Sequence, residues 1–130
     1  MSEHQLPLLL LVEDEHFTRE LVEGALRDSG FELAVARTGE EGIVLLEETR
    51  SFRGVVTDID LGGDINGWAV ARRARELGSD TSIVYMTGGS AGQWMTHGVP
   101  LSVLVTKPFA EGQIVTAITG LLNGPPVSAD

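Results

Sequence analysis

The segment VVTDIDLGG sets two carboxylates, Asp58 and Asp60, directly after an apolar β-branched pair, and two glycines then break the chain. An acid ending such a run carries a desolvation cost that some partner must offset. Further polar residues stand in comparable places. Glu13, Asp14 and Glu15 follow LLLLV, Thr87 ends SIVYMT, and Lys107 follows LSVLVT. Clustered carboxylates repel one another and invite a divalent cation, and an all-oxygen donor set suits Mg²⁺ better than zinc. A metal and a lysine beside one carboxylate keep it ionised and therefore nucleophilic. The same charges, joined by a hydroxyl, would stabilise a phosphoryl group in transfer. Singly, each residue has an ordinary explanation. Acids such as those of EDE favour a helix N-terminus, Asp58 could cap a turn, Thr87 precedes two glycines, and a lysine before Pro108 is commonly a surface residue. Their arrival at successive strand ends is what those explanations leave out.

For these side chains to meet, the strands must lie side by side and point the same way. The pattern supports that. LLLLV, residues 8–12, is a continuous apolar run, as expected of a strand buried on both faces. FTRELVEGALRDSG places Phe17, Leu21, Val22, Ala25 and Leu26 on one helical face, with Gly30 as its stop. FELAVA is a second strand. Thr38 and Glu41 form a T-x-x-E capping box ahead of Ile43, Leu45 and Leu46. GVVTDI is a third strand and NGWAVARRAREL a third helix, with Arg72, Arg73 and Arg75 towards water. SIVYMT, LSVLVT and the helix EGQIVTAITGLL follow. Between them GGSAGQWMTHGVP, residues 88–100, is too rich in glycine for more than a short or irregular fourth helix. Five strands alternating with helices give an α/β fold, a doubly wound five-stranded parallel sheet of flavodoxin-like order 2-1-3-4-5. In such sheets, sites form beyond the carboxyl ends of the strands.

Composition narrows the classes. A chain of 130 residues, 42% of them hydrophobic, fits one globular domain. The absence of cysteine excludes disulfides, thiolate nucleophiles and cysteine metal sites. A formal charge of −10 argues against a nucleic-acid partner. The apolar run at residues 6–12 lacks the flanks of a signal peptide and is too short to span a bilayer, so a cytoplasmic protein without membrane insertion is expected. The domain is read as residues 1–122, with NGPPVSAD, residues 123–130, as a disordered tail.

The motifs LLVEDE, VVTDIDLGGDINGWAVARRARE, IVYMTGG and VTKPF, in this order and near-standard spacing, resemble the receiver domain of two-component response regulators, the CheY-like phosphoacceptor module. The likeness runs from about Leu8 to Leu122. It implies that Asp58 is the phosphoacceptor and that Glu13, Asp14 and Asp58 hold Mg²⁺, with the backbone carbonyl of Asp60 as a further ligand. It implies that Thr87 and Lys107 bind phosphoryl oxygens and that the Lys107–Pro108 bond is cis. A sensor histidine kinase or histidine phosphotransfer protein would be the donor, and an unidentified downstream protein the target. Such a domain catalyses only its own phosphorylation and dephosphorylation. With no output domain read after Leu122, a stand-alone receiver signalling by protein contact is expected.

The chain departs from that pattern in several places. Glu13 stands where Asp is commoner. DIDLGGDING is one residue longer than usual and has Gly62 where Pro is typical. Thr87 and Lys107 are about two residues closer than usual. Leu104, three before Lys107, occupies the place of a switch Tyr or Phe, while Tyr85 lies two before Thr87. Two rivals follow. One is a docking module of the same fold that is never phosphorylated. The other is a phosphatase of the haloacid-dehalogenase type, suggested by the D-x-D of DID. That family, however, places D-x-D at the first strand and needs an acidic motif after the lysine, where only Glu111 and Asp130 stand.

Overall fold

The computed structural model describes residues 6–49 and 51–124. Five parallel strands, β1 (Leu8–Val12), β2 (Glu32–Ala36), β3 (Gly54–Asp58), β4 (Ser82–Thr87) and β5 (Ser102–Thr106), form one sheet in the order β2-β1-β3-β4-β5. The expected architecture is therefore the observed one. The helices are α1 (His16–Asp28), α2 (Gly39–Glu48), α3 (Gly67–Leu77), α4 (Trp94–His97) and α5 (Glu111–Asn123). A 3₁₀ turn, Ala91–Gln93, leads into α4, so the fourth helix is indeed short. The C-terminal tail beyond residue 124 lies outside the described residues.

Period-two alternation divides the core. Leu10, Val12, Val55, Ile83 and Tyr85 pack on one face with Trp68, Val70, Ala71 and Ala74 of α3 and Leu46 of α2. Leu9, Leu11, Val56, Val84 and Met86 pack on the other with Val22 and Leu26 of α1 and Ile114 and Ile118 of α5. A central strand buried on both faces has no polar side to show, which is why β1 reads as unbroken leucine and valine.

Three local expectations are revised. The buried stripe of α1 is Arg19, Val22 and Leu26, while Phe17 and Leu21 are exposed at 67% and 43%. At 3.6 residues per turn Phe17 sits about 140° from Val22, and Arg19 takes the inward place in the first turn. The Thr38 side chain accepts the Glu41 N–H at 3.0 Å, but the Glu41 carboxylate takes the N–H of Arg37 at 2.8 Å, not that of Thr38. Arg75 is not simply solvated. Its guanidinium donates to the carbonyls of Thr81 at 2.7 Å and Pro100 at 2.6 Å, pinning the start of β4 to the segment entering β5.

Candidate functional site

Register decides what meets at the carboxyl edge. Val12 pairs with Thr57, Asp58 with Met86, and Thr87 with Thr106, so the residues following β1, β3, β4 and β5 emerge side by side. Asp58 is the last residue of β3 and is 4% exposed. Its Oδ2 accepts from Lys107 Nζ at 3.0 Å, and its Oδ1 accepts the Asp60 N–H at 3.2 Å. Lys107 Nζ also reaches Glu13 Oε1 at 3.5 Å. Glu13, Asp14 and Asp58 each offer a carboxylate oxygen, all within 4.8 Å of one another.

The three acids after β1 separate into different tasks. Glu13 is fully buried, and its Oε2 accepts the Glu15 N–H at 3.1 Å. Burial, with the Asp58 charge added, pushes its carboxyl up to about 7, and the Glu15 amide and Lys107 only partly counter them. Asp14 is exposed at the mouth of the site. Glu15 is turned away as the cap of α1, accepting the Thr18 N–H at 2.8 Å and the Phe17 N–H at 3.2 Å. The Thr18 hydroxyl and amide hold Glu15 below the usual carboxylate range. Lys107 titrates above the ordinary lysine value. Burial pulls it down, but the Asp58 hydrogen bond and charge, reinforced by Glu13, more than offset this.

Such a cluster fits a hard divalent cation. Its donors are all oxygen, two of the three acids are buried, and the Glu13 carboxyl is raised first by burial and then by the Asp58 charge, both of which a cation would offset. Glu13 and Asp14 would hold Mg²⁺ together with Asp58.

Thr87 is fully buried at the end of β4, and its Oγ1 accepts the Ser90 N–H at 2.8 Å and the Gly89 N–H at 3.2 Å. Its carbonyl accepts the Lys107 N–H at 2.7 Å, which ties the hydroxyl and ammonium positions together. The Lys107–Pro108 bond is cis. Asp60 projects outward, and its carboxylate accepts the Ser90 hydroxyl at 2.9 and 3.2 Å. Ser90 was not singled out in the sequence, although a hydroxyl residue followed by an amide three positions on is a known local bonding pattern.

Glycines let the frame close. A Cβ on Gly67 would run into the Asp58 carbonyl, so the start of α3 can pass over the end of β3 only without a side chain. At Gly62 a Cβ would lie 3.6 Å from Asp14 Oδ2, an ordinary contact. The β3–α3 loop is anchored from α2, where Glu40 Oε2 accepts the Asp64 N–H at 3.2 Å.

Tyr85 lies wholly inside the core. It packs edge-on against Trp68 with centroids 4.8 Å apart, and its phenol oxygen accepts the Val99 N–H at 3.1 Å. Leu104 is its register partner on β5 and is partly buried.

Comparison with known proteins agrees with this geometry. A family model described as the response regulator receiver domain matches residues 9–119. The chain is 31% identical over 112 residues to the transcriptional regulatory protein DltR of Streptococcus agalactiae serotype III (strain NEM316), covering 85% of this chain and 49% of that protein. It is 30% identical to the transcriptional regulatory protein CusR of Escherichia coli (strain K12), covering 88% and 51%. The chain thus spans about half the length of these curated relatives. A solved response regulator receiver protein from Sinorhizobium medicae WSM419 matches with a TM-score of 0.89 and 38% identity, covering 92% of this chain and 97% of that one. The chemotaxis response regulator CheY4 of Vibrio cholerae matches with a TM-score of 0.77, covering 90% and 99%, but at 20% identity that likeness speaks for the fold alone. No helix among the described residues is long and apolar enough to cross a membrane.

Proposed function

Because the chain belongs to the response regulator receiver domain family, we propose that it accepts a phosphoryl group on Asp58 from a phosphohistidine and passes the signal on by protein contact. The observation that carries this reading is the buried Asp58 carboxylate, bonded to Lys107 at 3.0 Å beside the Glu13–Asp14 pair. In transfer, an Asp58 oxygen attacks phosphorus as the bond to the donor imidazole nitrogen breaks. The electron pair returns to that nitrogen, which takes up a proton. Lys107 turns from the carboxylate to a phosphoryl oxygen, and the Thr87 hydroxyl donates to another. Water later attacks phosphorus, releasing inorganic phosphate and restoring the carboxylate. Mg²⁺, when bound, neutralises charge on the transferring group, and Glu13, Asp14, Asp58 and the Asp60 carbonyl would hold it.

A sensor histidine kinase or a histidine phosphotransfer protein would supply the group, and the downstream target would be a protein. No substrate other than the domain itself is turned over. The test is titration with beryllofluoride and Mg²⁺, followed by amide NMR shifts in wild type and Asp58→Asn. Saturable shifts at Asp58, Thr87 and Lys107 in wild type only are expected. A second reading, an unphosphorylated docking module, is favoured by Leu104 in the switch position, and wild type that ignores beryllofluoride at millimolar Mg²⁺ would turn the choice to it. The D-x-D phosphatase reading has lost its ground, since DID closes the third strand and the acidic pair follows the first.

A further inference from the structure

Arg19 is the one buried cation among the described residues, at 7% exposure, and phosphoryl transfer as set out above gives it no task. Its Nη1 donates to the carbonyl of Glu13 at 3.1 Å and points to that of Asp14 at 3.4 Å. Its Nη2 meets His16 Nδ1 at 3.1 Å, and His16 Nε2 lies 3.4 Å from Glu20 Oε2. Among the described residues no carboxylate forms an ion pair with the Arg19 guanidinium. Burying a cation against neutral acceptors costs free energy that a leucine or methionine on the same stripe of α1 would not incur. The cost is intelligible if the guanidinium is needed where it is. Nη1 serves both carbonyls while Nη2 engages His16, a division of donors that a single ammonium cannot reproduce.

Those carbonyls belong to the residues whose side chains form the acidic pair. Fixing a peptide plane fixes the direction in which the adjoining side chain leaves the backbone. The Glu13–Asp14 turn is thus gripped from below by Arg19, while the Glu15 amide grips the Glu13 carboxylate from the side. We propose that Arg19 is a positioning residue for the divalent-cation site: it sets the aim of Glu13 and Asp14 through their backbone carbonyls and never touches the ion itself. This rests on the reading of the acidic pair as a cation site. It adds that cation affinity depends on a residue one helical turn away, on the far side of the β1–α1 turn.

The experiment is Mg²⁺ titration of wild type, Arg19→Met, Arg19→Gln and Arg19→Lys, read by amide shifts of residues 13, 14 and 58, beside thermal melts in EDTA. Arg19→Met keeps the bulk and removes both charge and donors. Partners that orient metal ligands typically contribute tenfold or more in affinity, so a rise of about tenfold in Kd is expected for Arg19→Met. Arg19→Lys, able to reach one carbonyl, should fall between it and wild type. A role confined to helix packing would lower the EDTA melt and leave the Kd of the folded protein alone, and that result overturns the proposal. If Arg19→Met does not fold, Arg19→Gln serves in its place, with weaker Mg²⁺ binding expected and unchanged binding contradicting. Wild type that fails to bind Mg²⁺ would defeat the cation-site reading itself. Wild type that binds beside variants that bind equally well would defeat only the role given to Arg19.

Discussion

At the carboxyl ends of β1 and β3, the polar groups hold one another: Glu13 and Asp58 are buried, Lys107 bridges them, and the Asp60 amide bonds back to Asp58. Past the end of β4, the segment from residue 88 to 101 is built differently. Its helix is four residues long, Met95 and Leu101 are 89% and 67% exposed, and its hold on the core runs through a few contacts. Among them are the Val99 N–H to the Tyr85 phenol, Trp94 Nε1 to Ser102 Oγ at 3.0 Å, and the Arg75 guanidinium to the Pro100 carbonyl at 2.6 Å. The first region tolerates little change because its buried carboxylates share one ammonium, and each depends on where the others stand. The second rests on scattered side-chain to backbone bonds around a four-residue helix, so it can take another arrangement at smaller cost. The proposed signalling, in which the chemistry stays fixed while a surface changes, would use both.

The contrast can be broken at several points. The largest effect belongs to Lys107→Ala, which leaves a phosphoryl oxygen without its cation; by analogy with the loss of one oxyanion donor, transfer should slow about 100-fold or more. Loss of phosphoryl uptake over time, followed by intact mass, measures it. A slowing no greater than that caused by changes at Met95 would erase the distinction between the regions.

Gly67→Ala comes next. The added methyl meets the Asp58 carbonyl, a backbone group that cannot swing aside, and overpacking of this kind costs about 3 kcal/mol. Denaturant unfolding should register that loss, whereas Gly92→Ala, with open space around it, should leave stability almost unchanged.

The charge balance of the first region should also be visible in pH. Glu13 has its carboxyl raised from 4.5 to about 7 in the folded protein, so the folded state binds the extra proton between those values. Stability of the metal-free protein should therefore fall as pH rises through that window, by at most about 3 kcal/mol, and be level for this group above it. Unfolding midpoints in EDTA at pH 5 and 8 test the slope, and Glu13→Gln should remove it.

Tyr85→Phe sharpens the other side of the comparison. It strands the buried Val99 N–H, at a cost of about 1 to 2 kcal/mol. Faster amide exchange should be confined to residues 88–101, with Mg²⁺ binding unaltered. Loss of Mg²⁺ affinity would mean the two regions are not separable.

Much of this was legible beforehand for a physical reason. Doubly buried strands must be continuous apolar runs, and parallel order then sends Glu13, Asp58, Thr87 and Lys107 to one edge, whatever lies between them. What escaped was any feature in which a residue acts against its type. Arg75 reads as a solvated charge, yet its guanidinium serves backbone carbonyls, as does that of Arg19, which no pattern singles out. Phe17 reads as core, yet it faces water because Arg19 holds the inward place. The Ser90–Asp60 bond spans thirty positions and leaves no periodic trace. Glu15 is told from Glu13 and Asp14 in the sequence only through the family resemblance, and its capping bonds to Thr18 and Phe17 supply the physical reason.

The most direct test of the central claim is exposure of wild type and Asp58→Asn to a small-molecule acyl phosphate with Mg²⁺, followed by intact mass. Wild type should gain the mass of one phosphoryl group, lose it on standing, and lose the gain altogether in EDTA, while Asp58→Asn stays unmodified. Modification of both proteins alike, or of neither, would contradict the assignment of Asp58 as the acceptor.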